Sequence, residues 1–197
     1  TSALVGLALE QGCLSSVDQR MIDFFPELAD MVKDPRKEQI TIRQMLQMRA
    51  GYPWEKATPE LFELLHAGFR PLNLIDVPLV YDPGTDMQYS NFTSHLLGVI
   101  GARACETDLK SFAEAHLLAL LDTEVGFWQT DWEGNYLGHS DLHLTARDMA
   151  KFGLMVLDDG VYDGKQILPA DWVHDCLQTC SEDAWEFRVG RHWGAPG

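Results

Sequence analysis

The sequence predicts an α/β chain of the α+β kind, mainly helical with a few short strands. Helical segments, apolar along one face or nearly all round, recur through most of its 197 residues. Strand signals are short and sit in pairs around turns, at Glu133-Gly134-Asn135 and at Asp163-Gly164. Helices and strands do not alternate in the βαβ order that a doubly wound parallel sheet requires.

Composition narrows the function classes. Hydrophobic residues make up 46% of the chain, enough for a sizeable core. The formal charge of −15 argues against nucleic acid and anionic membrane surfaces as partners. No apolar run has the length of a membrane span, so membrane insertion is not expected. The cysteines Cys13, Cys105, Cys176 and Cys180 are too few for a disulfide framework and lack zinc-site spacing. Cys176 and Cys180 would share a helix face and read as buried thiols. Nothing in the sequence sets the oligomeric state.

Residues 1–11 read as a buried helix with Gly12 placed to cap its C-terminus. Residues 17–23 predict a short helical turn stopping at Pro26, and residues 33–37 a charged loop. Thr41 caps a helix over 42–48 that ends before Gly51 and Pro53. Thr58-Pro59-Glu60 opens another with a cap, a proline in its first position and an acid in its first turn. Residues 71–81 read as irregular. Helices follow over 92–104 and 109–118. Residues 125–132 and 136–137 are expected to pair as strands, with 142–144 extended. Thr145-Ala146-Arg147-Asp148 reads as a capping box for a helix to 157. A hairpin over 161–168 and a last helix opened by Pro169 complete the order.

The stretch with most chemical content is Pro83-Gly84-Thr85-Asp86-Met87-Gln88-Tyr89-Ser90-Asn91. Pro-Gly sets a tight turn. Ser90 reads as a helix N-cap. Tyr89 then stands at an extended-to-helix corner and Asn91 at the helix mouth. This stretch, with the Leu-Leu-Gly helix after it, resembles the second catalytic motif, Tyr-x-Asn, of the serine β-lactamase-like superfamily. The branch is that of class C β-lactamases, D-Ala-D-Ala peptidases, esterases and 6-aminohexanoate-dimer hydrolases. Four further stretches resemble it in matching order. They are Ser2-Ala3-Leu4-Val5-Gly6-Leu7-Ala8, Val17-Asp18-Gln19 with Phe24-Phe25-Pro26-Glu27, Asp34-Pro35-Arg36-Lys37 with Ile40-Thr41-Ile42-Arg43-Gln44-Met45-Leu46 running to Ala50-Gly51, and Thr145 to Gly153 with Ile167-Leu168-Pro169.

The resemblance implies a β-lactamase/transpeptidase-like fold, of which this chain covers the helical region. It implies acyl transfer from an amide or ester through a serine ester, with no cofactor and no metal. Tyr89 would relay protons and Asn91 would orient a motif lysine and the substrate carbonyl. Trp54, His139 and Ser140 fall where the family lines its cleft. The alternative for Tyr89 is a structural turn tyrosine. No serine in the chain has a lysine three residues on, so the Ser-x-x-Lys nucleophile is expected upstream of Thr1. His192-Trp193-Gly194 follows the last helix too closely to be the closing His-x-Gly. The chain is thus expected to be a single partial domain over 1–197, truncated at both ends and inactive by itself. The rival reading is a binding or scaffolding member of the same fold that performs no catalysis. His139-x-Asp141-x-His143 has alternating metal-binding residue types, but three such residues on an extended stretch bind weakly without a fourth.

Overall fold

The computed structural model describes residues 1–57, 59–68 and 70–178. Its helices are α1 (Ser2–Glu10), α2 (Ile42–Leu46), α3 (Pro59–Gly68), α4 (Asn73–Asp76), α5 (Asn91–Ala104), α6 (Leu109–Ala113), α7 (Ala146–Leu157) and α8 (Ala170–Leu177). α5 is the axis of the packing. Phe92, Thr93 and the run from His95 to Gly101 are all buried along it. α1, α2, α6 and a 3₁₀ turn over Met21–Phe24 all pack against it. α1 needs no polar face because Leu4, Val5, Gly6, Leu7 and Ala8 are all buried.

Strands are short, as expected from a chain that carries the helical region. β1 (Phe127–Trp128) pairs antiparallel with β2 (Leu142–His143), placing Phe127 opposite His143. β3 (Val161–Tyr162) pairs with β4 (Lys165–Gln166) around Asp163-Gly164, both with positive φ. That is the two-residue turn whose twist suits a hairpin. No parallel sheet forms among the described residues.

Several sequence expectations are corrected. The strand over 125–132 pairs with 142–143 rather than 136–137, and only one bridge, Thr130 with Tyr136, joins the expected partners. Asp131 is the reason: its carboxylate accepts the Glu133 and Asn135 N–H groups and closes a turn where the ladder would continue. The charged loop contains a 3₁₀ helix, Pro35–Gln39, capped by Asp34 through the Arg36 N–H. Pro26 opens a 3₁₀ helix, Pro26–Met31, instead of ending one, since proline suits a first helical position. The irregular stretch contains α4. The helix expected over 109–118 widens into a π turn at Glu114–Leu118. At Thr41 the full reciprocal box forms with Gln44. At Thr145 it does not, because the Asp148 carboxylate accepts the Thr145 hydroxyl rather than its N–H. Thr58 lies outside the described residues, as do Cys180 and His192.

The cysteine reading is also corrected. Cys13 and Cys105 are bonded, with Cα atoms 4.9 Å apart, and Cys176 is an exposed free thiol. The disulfide joins the ends of α1 and α5 across 92 residues of chain. A loop that long should matter, because cross-linking removes much of the unfolded chain's freedom. Cys105→Ala is expected to lower unfolding free energy by about 2–4 kcal/mol. Urea midpoints measured with and without reductant check this. Identical midpoints would show that the bond contributes nothing.

Candidate active site

The Tyr89 corner is built by two strips of backbone lying side by side. The carbonyls of residues 48–51 accept from residues 80–88: Gln88 N–H bonds Met48 O at 2.8 Å, Gly84 N–H bonds Arg49 O at 2.7 Å, and Val80 N–H bonds Gly51 O at 2.8 Å. The Arg49 guanidinium adds a bond to Thr85 O at 2.6 Å. Gly51 has φ 88° and lies against the Tyr81 carbonyl, where a Cβ would collide. The chain therefore reaches Tyr89 already held in place.

At the corner, Ser90 caps α5 by accepting the Thr93 N–H. The Tyr89 hydroxyl donates to Asn91 Oδ1 at 2.8 Å, and the Tyr89 side chain stays 37% exposed. Partial burial and the nearby Glu55 carboxylate push the phenol above the usual tyrosine range. Glu55 itself is buried in a 3₁₀ turn, Glu55–Ala57, and burial pushes its carboxyl up. Its Oε1 accepts the Phe92 N–H at 2.6 Å and the Ser90 hydroxyl at 3.3 Å. Trp54, half-buried, is the residue before it. The Tyr52 ring, two residues further back, packs edge-on against Phe92 at 4.7 Å.

One helical turn beyond Asn91, His95 reaches across to a second segment. His95 Nε2 stands 3.1 Å from Asp131 Oδ2, with both side chains fully buried. The Gly138 N–H donates to His95 Nδ1 at 3.4 Å. A nitrogen that accepts carries no proton, so the proton sits on Nε2 and is donated to Asp131. Burial raises the Asp131 carboxyl, but hydrogen bonds from His95 and Asn135 outweigh it and hold it below the usual aspartate range. Gly138 meets α5 at Gly98 and the Ser94 carbonyl, with no room for a side chain. The Thr1 hydroxyl donates to Gly138 O. His139 and Ser140 follow, lining an open cavity of about 450 Å³ with Thr1, Leu117, Trp128 and Phe152.

The five predicted site residues thus fall into two groups. Tyr89 and Asn91 are in direct contact, with Trp54 on the loop that caps their helix. His139 and Ser140 line the cavity, which Tyr89, Asn91 and Trp54 do not reach. His139 stacks edge-on against His95 at 5.8 Å, so α5 is the bridge between the groups. In the alternating stretch, Asp141 accepts the Ser140 hydroxyl at 2.8 Å and His143 packs on Phe127. Among the described residues no cluster of three His, Cys, Asp or Glu is disposed to hold a metal ion.

The Beta-lactamase family profile matches residues 1–191. The chain belongs to the Beta-lactamase family. The 6-aminohexanoate-dimer hydrolase of Paenarthrobacter ureafaciens is 27% identical over 196 residues, covering 92% of this chain and 49% of that protein. The chain spans about half or less of the length of the curated relatives it matches. Among solved structures, unliganded simvastatin synthase (LovD) from Aspergillus terreus superposes with TM-score 0.67 at 19% identity, over 97% of this chain and 57% of that one. The penicillin-binding protein from Bacillus halodurans superposes with TM-score 0.63 at 17% identity, over 92% and 64%. These structures share the fold. A serine-hydrolase-like fold of the β-lactamase and penicillin-binding-protein type is therefore established for the chain.

Within that family fold, Glu55, His95 and Asp131 are the site-forming residues that sequence reasoning missed. Their partners lie 37, 36 and 36 residues away, so no local spacing announces them. The one available signal was His95, a histidine next to the apolar run of its helix. Asp131 yields a pH prediction. A carboxyl depressed on folding stabilises above its ordinary value near 3.8 and loses that contribution as pH falls through the folded value. Asp131→Asn should cost about 1–3 kcal/mol at neutral pH. It should also lose less than wild type on further acidification below about pH 4. Thermal midpoints measured against pH check both; parallel curves would remove Asp131 from the acid response.

Proposed function

We propose that this chain is part of a serine hydrolase that cleaves amide or ester bonds of small molecules through an acyl-enzyme, with Tyr89 as its proton relay. The single partial domain formed by residues 1–197 supplies the relay and one wall of the cleft. The nucleophile in this reading is the serine of a Ser-x-x-Lys upstream of Thr1. The observation that carries this reading is the contact between the Tyr89 hydroxyl and Asn91 Oδ1 at the mouth of a capped, buried helix. A phenol presented in that way is fixed in place yet still open to solvent.

The chemistry balances as follows. The serine oxygen attacks the carbonyl carbon and its proton passes to the deprotonated Tyr89 oxygen. That proton then goes to the leaving nitrogen or oxygen as its bond to carbon breaks. Water attacks the resulting ester, loses a proton to Tyr89, and serine regains one. Tyr89 needs cations for this role, because its present surroundings hold the phenol protonated. Each unit of downward shift takes about 1.4 kcal/mol, within reach of a motif lysine a few Å away. Asn91 orients that lysine and the substrate carbonyl, while Trp54, His139 and Ser140 contact the substrate.

Tyr89→Phe in the full-length protein keeps the ring and removes the hydroxyl. Turnover of an ester reporter should fall by about 10²–10⁴-fold, the usual weight of general acid–base catalysis. The thermal midpoint should barely move, since Tyr89 is over a third exposed and its loss leaves no deeply buried group unpaired. A structural tyrosine predicts the reverse pair of results. A covalent adduct with a serine-directed probe, mapped by mass spectrometry to the upstream serine, separates the hydrolase from a non-catalytic binding protein. Retained turnover in Tyr89→Phe would end the proposal.

A further inference from the structure

We propose that Glu55 is a positioning residue for Tyr89 and Asn91, an inference that rests on the relay reading of the site. Three observations meet at its carboxylate. Oε1 accepts the Phe92 N–H at 2.6 Å, the short bond expected of a charged acceptor. The same oxygen accepts the Ser90 hydroxyl at 3.3 Å, whose oxygen in turn accepts the Thr93 N–H. Oε2 is buried and has no hydrogen-bond partner among the described residues. Glu55 thus holds the residues on either side of Asn91 and sets the direction of the Ser90 hydroxyl. Tyr89 is joined to this clamp twice, by the peptide bond to Ser90 and by its hydrogen bond to Asn91.

A carboxylate is a costly choice for the job. Glu55 is 3% exposed, and its Oε2 has no hydrogen-bond partner among the described residues. α5 already has a conventional N-cap in Ser90, so the helix does not need Glu55 in order to start. What Glu55 adds is reach. It crosses from the loop after Tyr52 to the first turn of α5, 37 residues along the chain, and ties the cleft loop bearing Trp54 to the relay. Displacing a relay by about an ångström can cost on the order of 10²-fold in rate. The clamp therefore acts on turnover through geometry, without touching substrate.

Two conservative variants of the full-length protein separate reach from charge. Glu55→Asp keeps the charge but draws the carboxylate back by one carbon–carbon bond. Glu55→Gln keeps the reach and an acceptor oxygen but removes the charge. Hydrolysis of a p-nitrophenyl ester is measured per folded molecule, with the folded fraction taken from circular dichroism. Glu55→Asp should lower kcat by about tenfold or more with KM nearly unchanged, and Glu55→Gln should stay within about threefold of wild type. Wild-type kcat in Glu55→Asp, alongside a large loss in Tyr89→Phe, overturns this inference and leaves the relay standing. Loss in Glu55→Gln with retention in Glu55→Asp overturns it too, because charge and not placement would then matter. Retained turnover in Tyr89→Phe overturns the relay reading, and the clamp with it.

Discussion

A helix buried along most of its length cannot leave the N–H groups of its first turn to water. α5 is such a helix, and the way its first turn is satisfied decides where the cleft residues stand. Ser90 takes the Thr93 N–H and Glu55 takes the Phe92 N–H. The acceptors come from different parts of the chain, one adjacent and one on the loop after Tyr52. Capping the helix therefore also docks that loop. The exposed Tyr89 and the Asn91 that it contacts inherit their positions from this requirement.

The same logic recurs at two other buried polar side chains, His95 and Lys37. His95 is placed inside an apolar helix surface, where an unpaired imidazole would be costly. Its two ring nitrogens are satisfied by Asp131 and the Gly138 amide, and this draws the 131–140 segment onto α5. Lys37 is 2% exposed, and its ammonium donates to the Ile75 carbonyl at 2.6 Å. That bond fastens the 3₁₀ turn at Pro35–Gln39 to α4. In each case a buried donor or acceptor finds a partner far along the chain, and loops without regular structure become fixed walls.

The exposed ion pairs carry less weight. Arg36 with Asp34 and Asp82, Arg43 with Asp18, and Arg103 with Glu27 are all partly open to water, where solvent and salt screen such pairs and they contribute little. They relieve some of the repulsion expected from a chain of formal charge −15. The disulfide between Cys13 and Cys105 acts at the opposite end of α1 and α5 from the Tyr89 corner. It ties the two helices together without entering the cleft.

Local signals were readable wherever both partners lie within a few residues. Ser90 and Thr41 bond N–H groups three residues on, and Asp163-Gly164 turns a hairpin on itself, so sequence alone located these features. It also located Tyr89 and Asn91, because a turn, an extended step and a cap fall in one short stretch. The anchoring of the corner was less legible, since Glu55, which accepts the Phe92 N–H, lies 37 residues earlier. Strand pairing was misread for a similar reason. The Asp131 side chain closes its turn early, and β1 finds its partner in Leu142–His143 instead. The Cys13–Cys105 bond could not be read from spacing, because only the packing of α1 on α5 brings those residues within 4.9 Å. Sequence determined what each segment could form on its own. Tertiary structure decided which distant donor meets which buried acceptor, because that pairing depends on burial, and burial exists only once the chain has folded.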